Sequence, residues 1–287
     1  MQKHQTSPVI MSRRSALSMS AGICAAALQG CGFLGGDTSG SAGSNETTAA
    51  PPTTSVEVKD PMVAQDATES PVTSEFARLL DEGSVHSIRL IGDSITAGFL
   101  CDGYGPTTDV LIYDGPYGAF YETVPEVVCW ANEFRSYAES RGVADFVNAG
   151  ICGAKMLWLA EDSGAWIREG ADVIFVMLGT NDAVYFTADE YRANAEEGLS
   201  AIAGACQHMV VLAPPDNAWT QYDPCMSQQE VEQVLQELCE AHGWTFLSLL
   251  DVIELGTDMV NEDQCHPTSK GSLALWDRVA RELGLSY

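Results

Sequence analysis

Four side chains of this sequence could together attack a carbonyl carbon: Ser94, His266, Asp263 and Asn181. Ser94 follows Gly92-Asp93 at the end of the apolar run Ile88 to Ile91, which only Arg89 interrupts. Such a run reads as a buried strand, so Ser94 sits where a strand turns into the next helix. In open α/β sheets, ligands bind at that edge. The same three letters also describe an ordinary turn with an N-cap serine, so the downstream segments must decide. Serine is a weak nucleophile until a base takes its proton. His266 can be that base, because imidazole gains and loses a proton near neutral pH. Asp263, three residues earlier in Asp263-Gln264-Cys265-His266-Pro267, can accept the other ring N–H and fix the tautomer. The oxyanion formed on an ester carbonyl then needs donors held in place. Candidates are the backbone N–H groups of Ser94 and Gly153 and the side-chain amide of Asn181.

Each of these groups needs a strand end to hold it. A short helix, Glu75 to Glu82, leads into the strand before Ser94. The next strand, Asp145 to Asn148, runs into the glycine turn Gly150-Ile151-Cys152-Gly153. After helical segments over Lys155 to Glu169 comes Asp172 to Leu178, a near-continuous apolar run of the kind buried on both faces of a parallel sheet. Gly179-Thr180-Asn181-Asp182 closes it. Helix is expected over Ala188 to Gln207, Gln228 to His242 and Ser269 to Leu283, with strands at Met209 to Ala213 and Thr245 to Leu249. Strands alternating with helices at this spacing predict a parallel, doubly wound α/β sheet with helices on both faces.

Residues 100–128 break the alternation. They hold Tyr104, Tyr113, Tyr117, Phe120 and Tyr121 and read as a β-hairpin around Asp114-Gly115-Pro116-Tyr117-Gly118. Cys101 and Cys129 bracket this insertion, and a disulfide between them would close it into a lid beside Ser94. A helix from Trp130 to Arg141 follows, with Trp130, Phe134 and Tyr137 on one face.

Taken together, Gly92-Asp93-Ser94, Asn148 to Gly153, Gly179 to Asp182 and Asp263 to Pro267 resemble the four blocks of the SGNH (GDSL-type) hydrolases, in order. The resemblance spans residues 85 to 287. It implies Ser94 as nucleophile, His266 as base, Asp263 as orienting acid, and Ser94, Gly153 and Asn181 as the oxyanion hole. It further implies a three-layer α/β/α sandwich with a five-stranded parallel sheet, flavodoxin-like, that needs no cofactor. Asp182 beside Asn181 reads as a structural hydrogen-bonding group, and Asp93 as a support of the turn. Tyr104, Tyr113, Tyr117, Trp219 and Tyr222 offer flat faces and hydroxyls, which suit a sugar better than an acyl chain. A surface-held esterase removing acetyl groups from carbohydrate is therefore expected. Alternatives are a lipase or thioesterase acting on acyl chains, and a non-catalytic surface binding module.

The first 31 of the 287 residues read as an export segment, with Arg13-Arg14 and an apolar stretch from Ala21 to Leu28. That stretch is too short for a stable membrane span. It ends Leu28-Gln29-Gly30-Cys31, which resembles a lipoprotein box and would put a lipid on Cys31; a plain cleaved signal is the alternative. Residues 32–75 are rich in Gly, Ser, Thr and Pro and read as a tether, with the hydrolase domain over 76–287. A twin-arginine route to a bacterial cell surface follows, with Cys31 as the membrane contact. Beyond Cys31 the chain carries 11 basic against 40 acidic residues, a formal −29. This disfavours nucleic acid and anionic lipid as partners and leaves a small-molecule or glycan ester. No pair among the seven later cysteines has C-x-x-C spacing, so no metal site is expected.

Overall fold

A computed structural model describes residues 74–168, 170–219 and 221–285. The expected export segment, Cys31 and almost all of the tether lie outside those residues. Helix α1 (Glu75–Asp81) leads into strand β1 (Ser87–Gly92) and the single turn α2 (Ser94–Ala97). The hairpin β2 (Thr107–Gly115) and β3 (Gly118–Thr123) follows, then α3 (Trp130–Ser140) and β4 (Asp145–Gly150). Two short helices, α4 (Met156–Glu161) and α5 (Ser163–Ile167), precede β5 (Val173–Met177). Then come α6 (Asp182–Tyr185), α7 (Ala188–Ala203), β6 (His208–Ala213), α8 (Gln228–His242), β7 (Thr245–Ser248) and α9 (Ser269–Glu282).

Five strands pair in parallel in the order β4-β1-β5-β6-β7. β1 has β4 on one side and β5 on the other, so the chain order reverses there. A crevice opens beyond the carboxyl ends at such a switch point. Ser94 lies two residues past the end of β1.

The run through β5 is apolar without alternation because both faces are covered. Val173, Phe175 and Met177 join the core under α1, α3 and α9; Ile174 and Val176 join the one under α4, α5, α7 and α8. This is the expected three-layer sandwich. Its two longest described helices, α7 and α8, start on capping boxes, Thr187 with Glu190 and Ser227 with Glu230. The helical segments expected over Lys155 to Glu169 are two, α4 and α5. Asp162 divides them, leaving helical geometry to accept the Ala165 N–H and cap the second piece. α7 ends at Ala203, four residues before the expected Gln207. Gly204 follows it, and the N–H groups of Gln207 and His208 turn to Asp172 O to begin β6.

The insertion forms the expected hairpin but not the expected lid. No hairpin residue lines the cavity at Ser94. Ile112 and Tyr113 are fully buried, and the Tyr113 ring packs 5.7 Å from Trp166 and 5.9 Å from Trp158. Aromatic packing thus fixes the hairpin against α4 and α5. Nor is there a staple: Cys101 and Cys129 are free thiols, both buried under the α3 and α9 face of the sheet. Cys101 Sγ turns to the carbonyl of Pro267 at 3.7 Å. Burial, chiefly, pushes the two thiols up to about 12 and about 11, so neither is poised to react.

Candidate active site

β1 ends on Gly92 because nothing larger fits there: a Cβ would stand 2.1 Å from Thr96 Oγ1. Asp93 then caps α2, its Oδ1 accepting the Ile95 N–H at 2.9 Å. Ser94 is the first residue of that one-turn helix, where backbone N–H groups have no intrahelical partner. On the adjacent strand β4, Asn148 ties the neighbouring end to this turn. Its Nδ2 donates to Thr96 O at 3.0 Å, while its Oδ1 accepts the Gly150 N–H at 3.1 Å. Gly150 is needed for this closeness, since a Cβ would lie 2.4 Å from the Ala97 nitrogen. Gly153, at φ +79°, turns the chain so that its N–H is left out of the backbone hydrogen bonds of the described residues, as is that of Ser94.

The last loop folds back over this turn. With its proton on Nδ1, the His266 ring donates to Asp263 Oδ2 at 2.5 Å and accepts from Ser94 Oγ at Nε2, 2.9 Å. Asp263 Oδ1 accepts the backbone N–H groups of Cys265 and His266, each at 3.0 Å. Burial alone would raise this carboxyl, but those N–H groups and the imidazole outweigh it and hold it below the ordinary range. Asn261 fixes the loop from behind by donating Nδ2 to the carbonyls of His266 and Pro267, both at 3.0 Å. The ring itself is clamped between Phe99, with centroids 4.8 Å apart, and Trp219, at 5.8 Å. A hydroxyl, an imidazole and a carboxylate in this line can pass a proton away from Ser94 and back.

From the third strand end, buried Asn181 donates Nδ2 to Ala154 O at 3.1 Å. One amide hydrogen is thereby anchored, and the side chain lines the same cavity as Ser94, Gly153 and His266. Asp182 does structural work of the expected kind, accepting the Met156 N–H with both oxygens at 3.0 Å. It is fully buried, and burial pushes its carboxyl up to about 7 although the Met156 N–H and the Lys155 ammonium pull it down. A raised carboxyl favours the fold while protonated. That contribution is full below about pH 3.8 and is lost as the pH rises through about 7. Asp182→Asn stays neutral, so between pH 4 and pH 8 the wild type should lose on the order of 3 kcal/mol more stability than the variant. Urea unfolding at both pH values measures this, and parallel losses would contradict it.

The expected substrate contacts divide. Trp219 and Tyr222 line the cavity at Ser94, packed on each other with centroids 4.5 Å apart. Tyr113 is buried core and does not line the cavity at Ser94, because four aromatic neighbours enclose it. Tyr104 and Tyr117 line a second cleft instead, one behind Phe99 and the other stacked on Trp158. Lys155, Phe99 and Tyr185 also line the first cavity and were not singled out by sequence. Lys155 Nζ donates to Gly153 O at 3.2 Å and lies 4.6 Å from the Tyr185 ring. Its place two residues after Gly153, in a chain so poor in cations, was the available signal.

The GDSL-like Lipase/Acylhydrolase family matches residues 90–274, more than half of the chain. No curated protein matches. Among solved structures, the chain is similar to LAE5, an alpha/beta hydrolase enzyme from the metagenome of Lake Arreo, Spain. The TM-score is 0.54 at 18% identity, over 70% of this chain and 97% of that one. It is also similar to Axe2, an acetylxylan esterase from Geobacillus stearothermophilus, with TM-score 0.51 at 18% identity, over 70% and 95%. A catalytic mutant of Axe2 gives 0.54 at the same identity and coverage. At these identities the likeness shows the fold, while the family match extends over all four sequence blocks. The chain belongs to the GDSL-like lipase/acylhydrolase family and is a serine hydrolase of ester bonds.

Proposed function

We propose that this enzyme removes short acyl groups, above all acetyl, from carbohydrate, with Ser94 as nucleophile, His266 as base and Asp263 as its orienting acid. Ser94 Oγ attacks the ester carbonyl while its proton passes to His266 Nε2. The negative charge that forms on the carbonyl oxygen meets the N–H groups of Ser94 and Gly153 and the free amide hydrogen of Asn181. Collapse expels the sugar hydroxyl, which takes the proton from Nε2, and leaves an acyl group on Ser94. Water, deprotonated by the same nitrogen, then releases the acid and restores the serine.

The observation that carries the substrate reading is the size and lining of the cavity at Ser94. It holds about 120 Å³, somewhat less than the roughly 150 Å³ that encloses one benzene. Such a space suits an acetyl group better than a long acyl chain. Trp219, Tyr222 and Tyr185 give its walls flat faces and hydroxyls, which pack on sugar rings. Axe2, which shares the fold, is described as an acetylxylan esterase, and this supports the same reading. Turnover of 4-nitrophenyl esters from acetate to palmitate, beside acetylated oligosaccharides, tests it. Activity should fall steeply beyond a few carbons, and a maximum at decanoate or longer would overturn it.

Asn181→Ala should lower kcat by about 10²–10³ with little change in KM, because the amide meets charge that exists only in the transition state. A rise in KM alone would remove Asn181 from the oxyanion hole. We place the enzyme outside the cell, tethered through a lipid on Cys31, on the strength of Arg13-Arg14 and the Leu28-to-Cys31 box. Cys31→Ser should move it from the membrane fraction to the soluble one at unchanged specific activity. Unaltered membrane retention would contradict the anchor.

A further inference from the structure

A second cleft of about 430 Å³ opens between the β2–β3 hairpin and the turn after β4. Its walls are Tyr104, Tyr117, Phe120, Tyr121 and Trp158, and Cys152 borders both this cleft and the cavity at Ser94. The two spaces also meet through Phe99, which lines the first and packs edge-on at 5.2 Å against Tyr104 of the second. The Tyr104 hydroxyl and Cys152 Sγ, 3.1 Å apart, mark the divide. Whatever occupies Ser94 therefore has the aromatic cleft as its neighbour along the sheet edge.

The lining says what can bind. No Lys, Arg, His, Asp or Glu is among the described residues that border it, so no side-chain charge is there to pair with an ion. Tyr117 lies flat on Trp158, centroids 4.2 Å apart and planes 5° from parallel, held by its hydroxyl on Glu161. Tyr121 is 48% exposed and leaves a ring for a ligand to cover. Thr107 and Thr123 add hydroxyls to the rim. Rigid aromatic faces interspersed with hydroxyls fit a neutral ring that has apolar faces and polar edges. By the benzene measure used above, the volume admits nearly three six-membered rings.

We propose that this cleft is a subsite for the unmodified sugar rings next to the acylated one, so that the preferred substrate is an oligosaccharide chain and not a single sugar. The proposal rests on the carbohydrate-ester reading and adds to it what holds the alcohol part of the ester. The hairpin, inserted between β1 and β4, is then a substrate-binding element built beside the catalytic turn.

The test compares kcat/KM for acetylated mono-, di-, tri- and tetrasaccharides of xylo-, cello- and chito-type with that for 4-nitrophenyl acetate. On the best backbone, kcat/KM should rise at least tenfold from mono- to trisaccharide. Tyr121→Ala and Tyr117→Ala should abolish that rise, while Val110→Ser, exposed on the hairpin but away from the cleft, keeps it. In Ser94→Ala, the unacetylated trisaccharide of that backbone should bind measurably by calorimetry, and adding Tyr121→Ala should weaken it at least fivefold. Tyr121 is exposed, so its variant tests the cleft even if Tyr117→Ala loosens the hairpin. Hydrolysis of acetylated sugars with no length dependence, or a length dependence indifferent to Tyr121, overturns the subsite and leaves the carbohydrate esterase standing. No hydrolysis of any acetylated sugar, with 4-nitrophenyl acetate still cleaved, overturns both readings. A drop confined to long-chain acyl esters in the tyrosine variants assigns the cleft to an acyl chain and also overturns the proposal.

Discussion

Ser94→Ala should lower ester turnover by about 10⁴–10⁶-fold while the melting temperature moves by no more than about 4 °C. The loss is large because the reaction is divided into two steps only through the Oγ atom, and no second hydroxyl is hydrogen-bonded to His266 Nε2 among the described residues. What survives is the binding and the oxyanion donors, which act without the nucleophile. The fold barely registers the change, since Ser94 gives up one hydrogen bond and packs in a turn held by Asp93 and Asn148. Steady-state rates on 4-nitrophenyl acetate and a thermal melt measure the two halves of the expectation. A variant with a tenth or more of wild-type turnover would contradict it.

Asp263→Asn should cost about 10⁴-fold in kcat and leave the loop in place. The amide oxygen can still accept the backbone N–H groups of Cys265 and His266, which is how Oδ1 holds this loop now. The amide nitrogen, however, would face Nδ1 as a donor. The ring proton is then driven to Nε2, which would point a hydrogen at Ser94 and no longer accept one. Asp263→Ala should show the same chemical loss with an added loss of stability, because the two N–H groups lose their acceptor. Rates and chemical denaturation of both variants separate these effects. Equal turnover by wild type and Asp263→Asn would contradict the tautomer role.

Much of this arrangement is legible in the sequence because its strands are buried on both faces. The run through β5 and the glycine-rich turns after β1 and β4 place Ser94, Gly153 and Asn181 at three strand ends, and the downstream segments decide what Gly92-Asp93-Ser94 alone leaves open. The packing of the insertion is not legible. Its tyrosines alternate with glycines and threonines in a way that fits a lid, a binding face or a core, and only Trp158 and Trp166 from later in the chain decide that Tyr113 is core. The cysteines mislead for a related reason: spacing brings Cys101 and Cys129 to one region, but side-chain direction sends Cys101 toward Pro267. Gly150 shows the converse. Its role is a close approach to Ala97, a fact of three dimensions that its position in a turn does not reveal. Phe99 and Lys155 belong to the cavity only because helix and loop ends converge there.

A covalent adduct on Ser94 is the most direct test of its proposed role as nucleophile. A fluorophosphonate carries a phosphorus centre that a deprotonated serine attacks and that does not then hydrolyse quickly, so the adduct can be weighed and located. After incubation with the wild type, intact mass should rise by one phosphonyl group per chain, and peptide mapping should place it on Ser94. Labelling should disappear in Ser94→Ala and slow severely in Asp263→Asn. A stoichiometric adduct on any other residue, or full esterase turnover in protein whose Ser94 is labelled, would contradict Ser94 as the nucleophile.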